Sequence, residues 1–415
     1  MLSVLRHRTY RHLFAAQVIA LLGTGLLTVA LGLLAFDVAP DNAGAVMGLA
    51  MTIKMVAYVG VAPIIAALVA RIPRKPLLIT ADLVRAAVAL CLPFVTEAWH
   101  IYVLIFLLQA ASATFTPAFQ ALIPSVLPAE RDYTRALSLS RLAYDTESLV
   151  SPMVAAALLA VVDYHGLFVG TVVGFVGSAL LVWVTSLPHL DPPAPSPFLD
   201  RLTSGTSQFW VNRELRGLLG TNLVVATTTA MVIVNTVVVV RSGLGRGQAD
   251  VAVLLAAYGA GSMLVALTMP RILDRLPDGR VMLAGASLLP VALAVAAAVL
   301  ALGDPATAWR WLLALWCCMG AATSSILIPS SRMLQRNSTD QNRPAIYAAQ
   351  FSLSHACFLA TYPLAGVGGA LLGLPGVALV LVAVAVPGLV WAARAWAPDR
   401  ATIPERGRGA HMIDA

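Results

Sequence analysis

Charge is what this chain has least of. Only 11% of its 415 residues are charged, against about a quarter in a soluble domain. Just two of its 27 cationic residues, Lys54 and Lys75, are lysine. With 59% of residues hydrophobic, a water-soluble fold could not cover its apolar surface. Cysteine is also sparse: Cys91, Cys317, Cys318 and Cys357 fall in apolar runs. They lack the paired spacing of a disulfide framework and read as buried thiols. No Walker-type loop, CxxC, HExxH or GxSxG occurs, so nothing points to a nucleotide-driven pump or to the common hydrolases. Nor is any polar segment long enough for a separate soluble catalytic domain.

What the chain has instead is apolar runs of roughly 20 residues, each long enough to cross a bilayer as a helix. Twelve spans are expected, at about 13–36, 45–69, 77–96, 101–123, 137–161, 166–187, 216–240, 250–270, 281–302, 309–329, 345–372 and 376–396. A transmembrane β-barrel would show alternation in runs of about ten residues, which is absent. The basic start, MLSVLRHRTYRHLF, runs into an apolar segment too long for a signal core, and is expected to be the first permanent helix.

Basic residues are strongly biased to one side. With the N-terminus assigned to the cytoplasm, 21 of the 27 fall on that side, three (Arg241, Arg246, Arg310) on the other, and three (Lys54, Arg85, Arg141) within spans. The positive-inside rule then places both termini in the cytoplasm. Because these charges are dispersed over separate loops, they form no nucleic-acid footprint.

The spans divide six and six around a Pro-rich, then amphipathic, stretch. We expect a bundle over 1–187, a linker over 188–215 lying on the inner membrane surface, a second bundle over 216–396, and a tail over 397–415. The halves echo each other. ARIPRK (70–75) is matched by DRLPDGR (274–280), LIPS (122–125) by LIPS (327–330), and SPMVAA (151–156) by YPLAGVGG (362–369). Three matches in order at nearly constant offset indicate a duplicated six-helix unit, an architecture common among secondary transporters.

On these motifs the chain resembles the major facilitator superfamily over essentially its whole length. That family's loop between spans two and three reads G-x-x-x-D-R-x-G-R-R/K. Here Ala66 and Ala70 replace its first glycine and its aspartate, and Arg71, Arg74 and Lys75 keep the basic residues, while the second copy keeps Asp274 and Arg275. The resemblance makes these five residues a cytoplasmic gate motif. It also makes Ser151 and Pro152, with Pro363 in the second half, a helix-packing motif that lacks the family's glycines. Phe106 stands where the family often has a basic residue. The stretch TPAFQALIPSVLPAERDYTRALSL is most similar to the proton-antiporter efflux group that includes macrolide and siderophore exporters, and AAQFSLSHACFLATYPLAG is similar to nickel-resistance permeases.

The resemblance implies an all-α polytopic membrane protein with twelve transmembrane helices in two pseudo-symmetric six-helix bundles. It implies a monomer in a bacterial plasma (inner) membrane that handles a small molecule and protons, without cofactor, metal centre or enzymatic step. Export driven by proton entry is the favoured function. Divalent-metal efflux of the nickel type is the first alternative, and a non-transporting membrane protein such as a lipid scramblase or sensor is the alternative of another class.

The polar residues inside the spans are the candidate site. Lys54 sits roughly 13 Å into span two, where a lysine costs at least about 2.5–3.5 kcal/mol, so a partner or wet cavity is expected. Asp145 and Glu147 are favoured as partner over Asp82. All the deep ion-pairing charges, Lys54, Asp82, Arg85, Arg141, Asp145 and Glu147, belong to the first half, and only His355 is titratable deep in the second. Arg141 and Asp145 are one turn apart and can pair. Glu147 has no basic residue at i±3 or i±4 and is the better proton carrier. Asp82 with Arg85 reads as a conformational latch. The group as a whole fits a structural ion-pair network, proton coupling, or contact with an ionic substrate. Neutral polar stripes mark the expected cavity wall: Gln17 and Thr24 on span one, Gln109 and Thr116 on span four, and Thr228 and Asn235 on span seven. Ser354 and His355 are adjacent on a helix, diverge by about 100°, and cannot act as a dyad. His355 and Cys357 likewise diverge too far to chelate one ion.

Overall fold

The computed structural model describes residues 2–38, 43–188 and 197–397. Among these there is no strand, and ten helices are long and apolar enough to cross a membrane. The helices are α1 (Arg8–Val38), α2 (Ala43–Val56), α3 (Ala62–Leu68), α4 (Arg74–Cys91), α5 (Ala98–Val126), α6 (Glu130–Leu159), α7 (Tyr164–Val184), α8 (Phe198–Val211), α9 (Arg213–Val238), α10 (Gln248–Leu273), α11 (Asp278–Leu302), α12 (Pro305–Arg336) and α13 (Arg343–Trp396). The twelve-span expectation corresponds to the ten long apolar helices with α13 counted twice and α6 added. Gly373, at φ 71° and ψ 172°, breaks α13 into two segments. Helix α6 runs beside α1 and α10, and its charged residues keep it out of the apolar ten.

The apolar sides of these helices pack in two groups. Helices α1, α4, α5 and α7 pack on one another, and α9, α11, α12 and α13 do likewise around the buried Trp316 and Met319. Between them lies α8, which buries Phe209 against the second group and leaves Leu199, Trp210 and Val211 exposed. Contacts between the halves run through α6 with α10 and α12, and through α3 and α5 with α13. Span two is interrupted by a π-helical turn, Ala57–Val61, where it meets α13. Extra-residue turns of this type widen a helix locally and are common at functional sites.

Loop chemistry sets the helix ends. Asp304 caps α12 by accepting from the backbone N–H of Ala306 and Thr307, both at 3.1 Å. The Thr307 donor above all holds this exposed carboxyl below the usual carboxylate range. Helices α10 and α12 cross at Gly320, where an added Cβ would stand 1.9 Å from the Tyr258 carbonyl oxygen. Only glycine permits that approach. It brings Ser262 and Ser324 within 2.6 Å of each other.

Candidate functional site: a central cavity closed on one face

A cavity of about 510 Å³ lies between the halves, within the range of small-molecule sites. Helix α1 supplies Gln17 and Thr24, α5 supplies Gln109 and Thr116, and α2 supplies Lys54. Aromatic walls come from Tyr58, Phe115, Tyr144 and Phe351. In the second half the lining comes from α12 and α13, with Gln350, Phe351, Ser354 and His355 among it.

Span seven is a correction. Thr228 and Asn235 are buried away from the cavity. Thr228 donates back to the Val224 carbonyl at 3.4 Å, and Asn235 donates to the Ala365 carbonyl at 3.2 Å. A seven-residue polar stripe marks a helix face, and here α13 is packed on that face. Asn222 on the same helix exchanges two hydrogen bonds with Gln350, at 3.2 and 2.9 Å, and so orients a residue that does line the cavity. Nothing in the sequence pattern separates a stripe that lines a cavity from one that glues two helices.

The intramembrane charges separate into three environments. Asp82 and Arg85 form a buried ion pair, with the guanidinium between the rings of Phe115 at 4.3 Å and Phe175 at 4.5 Å. Sandwiched this way, a guanidinium gains cation–π stabilisation on both faces. Arg85 reaches the cavity wall, and the pair joins only first-half helices, so the latch expected there does not cross between the halves.

Arg141 and Asp145 do cross. Their ion pair is 3.0 Å long. Ser262 of α10 donates to Asp145 Oδ2 at 2.5 Å and accepts from Arg141 Nε at 2.8 Å. Its single proton is thereby committed to the carboxylate, so in the 2.6 Å Ser262–Ser324 contact Ser324 is the donor. The Arg141–Asp145 pair expected from their spacing is therefore present, and it is also tied to the second half. No motif or spacing in the sequence links Ser262 with Ser324, and the Gly320 crossing brings them together.

Lys54 and Glu147 face the cavity together. Among the described residues no carboxylate lies within 4.0 Å of Lys54 Nζ, which corrects the expectation of a close ion pair. The carboxylate whose charge acts on it is Glu147. Its ammonium also stands 5.6 Å from the Tyr58 ring centre. Glu147 accepts from Ser151 Oγ at 3.4 Å. Both side chains fill the space over Gly25, where a Cβ would meet Ser151 Oγ at 2.1 Å and Glu147 Oε1 at 2.6 Å. Gly25 is thus a site residue that the polar pattern of span one could not reveal. Because Lys54 faces open space, Lys54→Met is expected to fold in near wild-type yield, its stability within about 1 kcal/mol, while transport falls. A collapse of monodisperse yield on size exclusion would show instead that the lysine holds a buried partner.

One face of the cavity is shut. On the side that carries the N-terminus, Glu130 pairs with Arg332, Arg131 with Asp274 at 3.3 Å, and Tyr133 meets Tyr347 at 2.7 Å, all across the halves. Arg343 reaches Ser125 at 3.0 Å, and behind these Arg336 bridges Asp278 at 2.7 Å and Glu214 at 3.0 Å. Deeper, Ser352 donates to the Val59 carbonyl at 2.5 Å, while Tyr58 packs on Phe351 and His355, each at 4.8 Å between ring centres. Among the described residues no hydrogen bond or ion pair joins the halves nearer the opposite face, where the cavity continues to Leu31 and Met51. Of these closing residues Arg131, Arg332, Arg336 and Arg343 counted in the sequence only as loop charge.

Of the gate motif, Asp274 takes part in this closure, and so does Arg74, whose bond to the Asp340 carbonyl joins the halves. Arg74 donates to the Ala121 and Asp340 carbonyls at 3.2 Å each, Lys75 donates to the Thr185 carbonyl at 2.9 Å, and Arg71 and Arg275 are exposed. In the packing motif Ser151 is buried against Glu147, Pro363 is exposed, and the side chain of Pro152 lies outside the described residues, as does the tail beyond 397. Among the described residues no group of three His, Cys, Asp or Glu is placed to hold a metal ion.

The family model described as Major Facilitator Superfamily matches residues 13–238 and 217–413. Macrolide efflux protein A of Streptococcus pyogenes is 26% identical over 215 residues, 50% of this chain and 52% of the relative. Macrolide efflux protein A of Enterococcus faecalis is 29% identical over 186 residues, 42% of this chain and 57% of the relative. The chain thus spans about half the length of these curated relatives. Among solved structures, the human organic anion transporter MFSD10 superposes with a TM-score of 0.76 at 12% identity, covering 93% of this chain and 99% of that one. A bacterial homologue of the iron transporter ferroportin, in an outward-facing state, gives 0.76 at 13%, covering 93% and 99%. The E. coli fucose:proton symporter gives 0.72 at 14%, covering 93% and 98%. At these identities the likeness is one of fold.

Proposed function

The chain belongs to the major facilitator superfamily, and from that premise we propose that it exports a small amphipathic molecule by alternating access, driven by inward proton flow. The observation that carries this reading is the cavity itself: an aromatic and amide-lined chamber closed on one face by pairs that join the two halves, with Glu147 and Lys54 on its wall. The macrolide efflux relatives favour export. The aromatic walls suit an apolar body, and Gln17, Gln109 and Gln350 offer both donors and acceptors to polar substituents.

In this cycle the N-terminal face is cytoplasmic, as the excess of arginine on that side favours, and the structure corresponds to the outward-facing stage. Proton entry from the outside reaches Glu147 through the cavity. Neutralising it removes the carboxylate charge that acts on Lys54, and the electrostatic balance of the cavity changes. The cross-half pairs at the N-terminal face then break as the halves rock, and the proton leaves to the cytoplasm as substrate enters. The bistable element is the closed face, since its pairs exist in one arrangement of the halves only.

Reconstitution in proteoliposomes tests the reading. An imposed proton gradient is expected to drive uptake of macrolides or related amphipaths into inverted vesicles, and collapse of the gradient is expected to stop it. Substrate movement that ignores the gradient would overturn proton coupling.

A further inference from the structure

A second cavity, of about 570 Å³, opens at the N-terminal face beside the gate loop. We propose that it binds an anionic phospholipid, with the phosphate headgroup on Arg71, Arg74 and Lys75 and the acyl chains along α3 and α5. The site is separate from the transport cavity, and the proposal does not depend on which molecule is transported.

Three observations carry it. The first is charge. Three cations stand within five residues, and no carboxylate pairs with any of them among the described residues. The acceptors of Arg74 and Lys75 are backbone carbonyls and not carboxylates, and the acid whose charge acts on Arg74 is Asp340. The one acid in the lining, Asp340, is engaged by Arg343 at 2.5 Å. In the duplicated loop of the second half Asp274 stands beside Arg275, whereas here Ala70 stands beside Arg71, so the neutralising residue is missing from this copy. Helix α4 also starts at the cavity with no side-chain cap on its N-terminal N–H groups, which adds positive potential.

The second is shape. Away from the loop the walls are apolar, including Ala66, Val69, Pro117 and Leu122. The neighbouring Leu68 and Ile72 are 63% and 47% exposed, so the apolar wall continues onto the surface that faces lipid. A soluble anion has no use for such a wall, and a diacyl lipid does.

The third is position. The lining comes from both halves, with Asp340, Pro344 and Ala348 contributed by the second. A ligand that touches both halves binds best when they are together, and so weights the equilibrium toward the state with the N-terminal face closed.

Native mass spectrometry of the detergent-solubilised full chain, titrated with phosphatidylglycerol or phosphatidylcholine, tests this. Wild type is expected to hold one phosphatidylglycerol roughly 100-fold more tightly than phosphatidylcholine, from three cations near the membrane surface. Arg71→Gln, at an exposed position that makes no hydrogen bond among the described residues, is expected to weaken it about fivefold. Arg71→Gln with Arg74→Gln and Lys75→Gln is expected to erase the preference. Equal retention of the two lipids by wild type would overturn the proposal, as would unchanged binding by Arg71→Gln. Inorganic phosphate that displaces phosphatidylglycerol at millimolar concentration would show a soluble-anion site and overturn the lipid assignment.

Discussion

Glu147→Gln is expected to abolish uphill transport driven by a pH gradient while leaving substrate counterflow within about threefold of wild type, a change below 1 kcal/mol. A carrier must gain a proton on one side and lose it on the other, so it must reach the cavity and must not be locked by a permanent counter-charge. Glu147 meets both conditions. It lines the cavity, its hydrogen-bond donor is the neutral Ser151, and the cation whose charge acts on it is Lys54, which has no ion-pair partner among the described residues. Asp145 meets neither, since Arg141 and Ser262 occupy both its oxygens and it is absent from the cavity wall. Glutamine keeps the shape and the hydrogen bond from Ser151 but cannot titrate. Because Lys54 and Glu147 share the cavity, their protonation is a property of the pair, and Lys54→Met should alter the proton dependence without copying the full loss. A Glu147→Gln transporter that still pumps against a gradient with unchanged proton dependence would sink the assignment.

Asp145→Asn should act on conformation and stability. Breaking a buried ion pair by removing one partner costs about 3–5 kcal/mol, and the Arg141 and Asp145 side chains are only 19% and 8% exposed. The loss falls on the arrangement in which α6 meets α10, because Ser262 reaches this pair only when the halves are closed at that level. Two readouts are expected to move together. The thermal midpoint drops by several degrees, and spin labels at Ala129 and Leu276, exposed residues of the two halves on the N-terminal face, shift to longer separations. Ser262→Ala keeps the ion pair and removes one hydrogen bond, so its effect should be nearer 1 kcal/mol. A wild-type midpoint with unchanged label distances in Asp145→Asn would show that the pair does not hold the halves together.

These two carboxylates show how far the amino-acid order reaches. They are two residues apart on one helix, and local spacing alone separated them: Arg141 lies one turn from Asp145, and Glu147 has no such neighbour. That much followed from helical periodicity. The serine that turns the first pair into a bridge between halves lies 117 residues away, and no periodicity connects it to Asp145. The same holds for Thr228 and Asn235. Their stripe was legible as a face, but the identity of what covers that face depended on how α13 packs.

Hydropathy, duplication and charge bias by themselves determined that the chain is a multi-span helical membrane protein built from two like halves, because each of these follows from the bilayer acting on local sequence. Tertiary structure alone decided that Lys54 stands beside Glu147 with no ion-pair partner among the described residues, that Asp145 is tied to the second half, and that the N-terminal face is shut by residues such as Glu130, Arg332, Tyr133 and Tyr347. The physical reason is range. A helix and its depth are set by neighbours within a turn and by the solvent around it, whereas pairing between charges on different helices is set by where close crossings such as Gly320 on Tyr258 let the backbones meet.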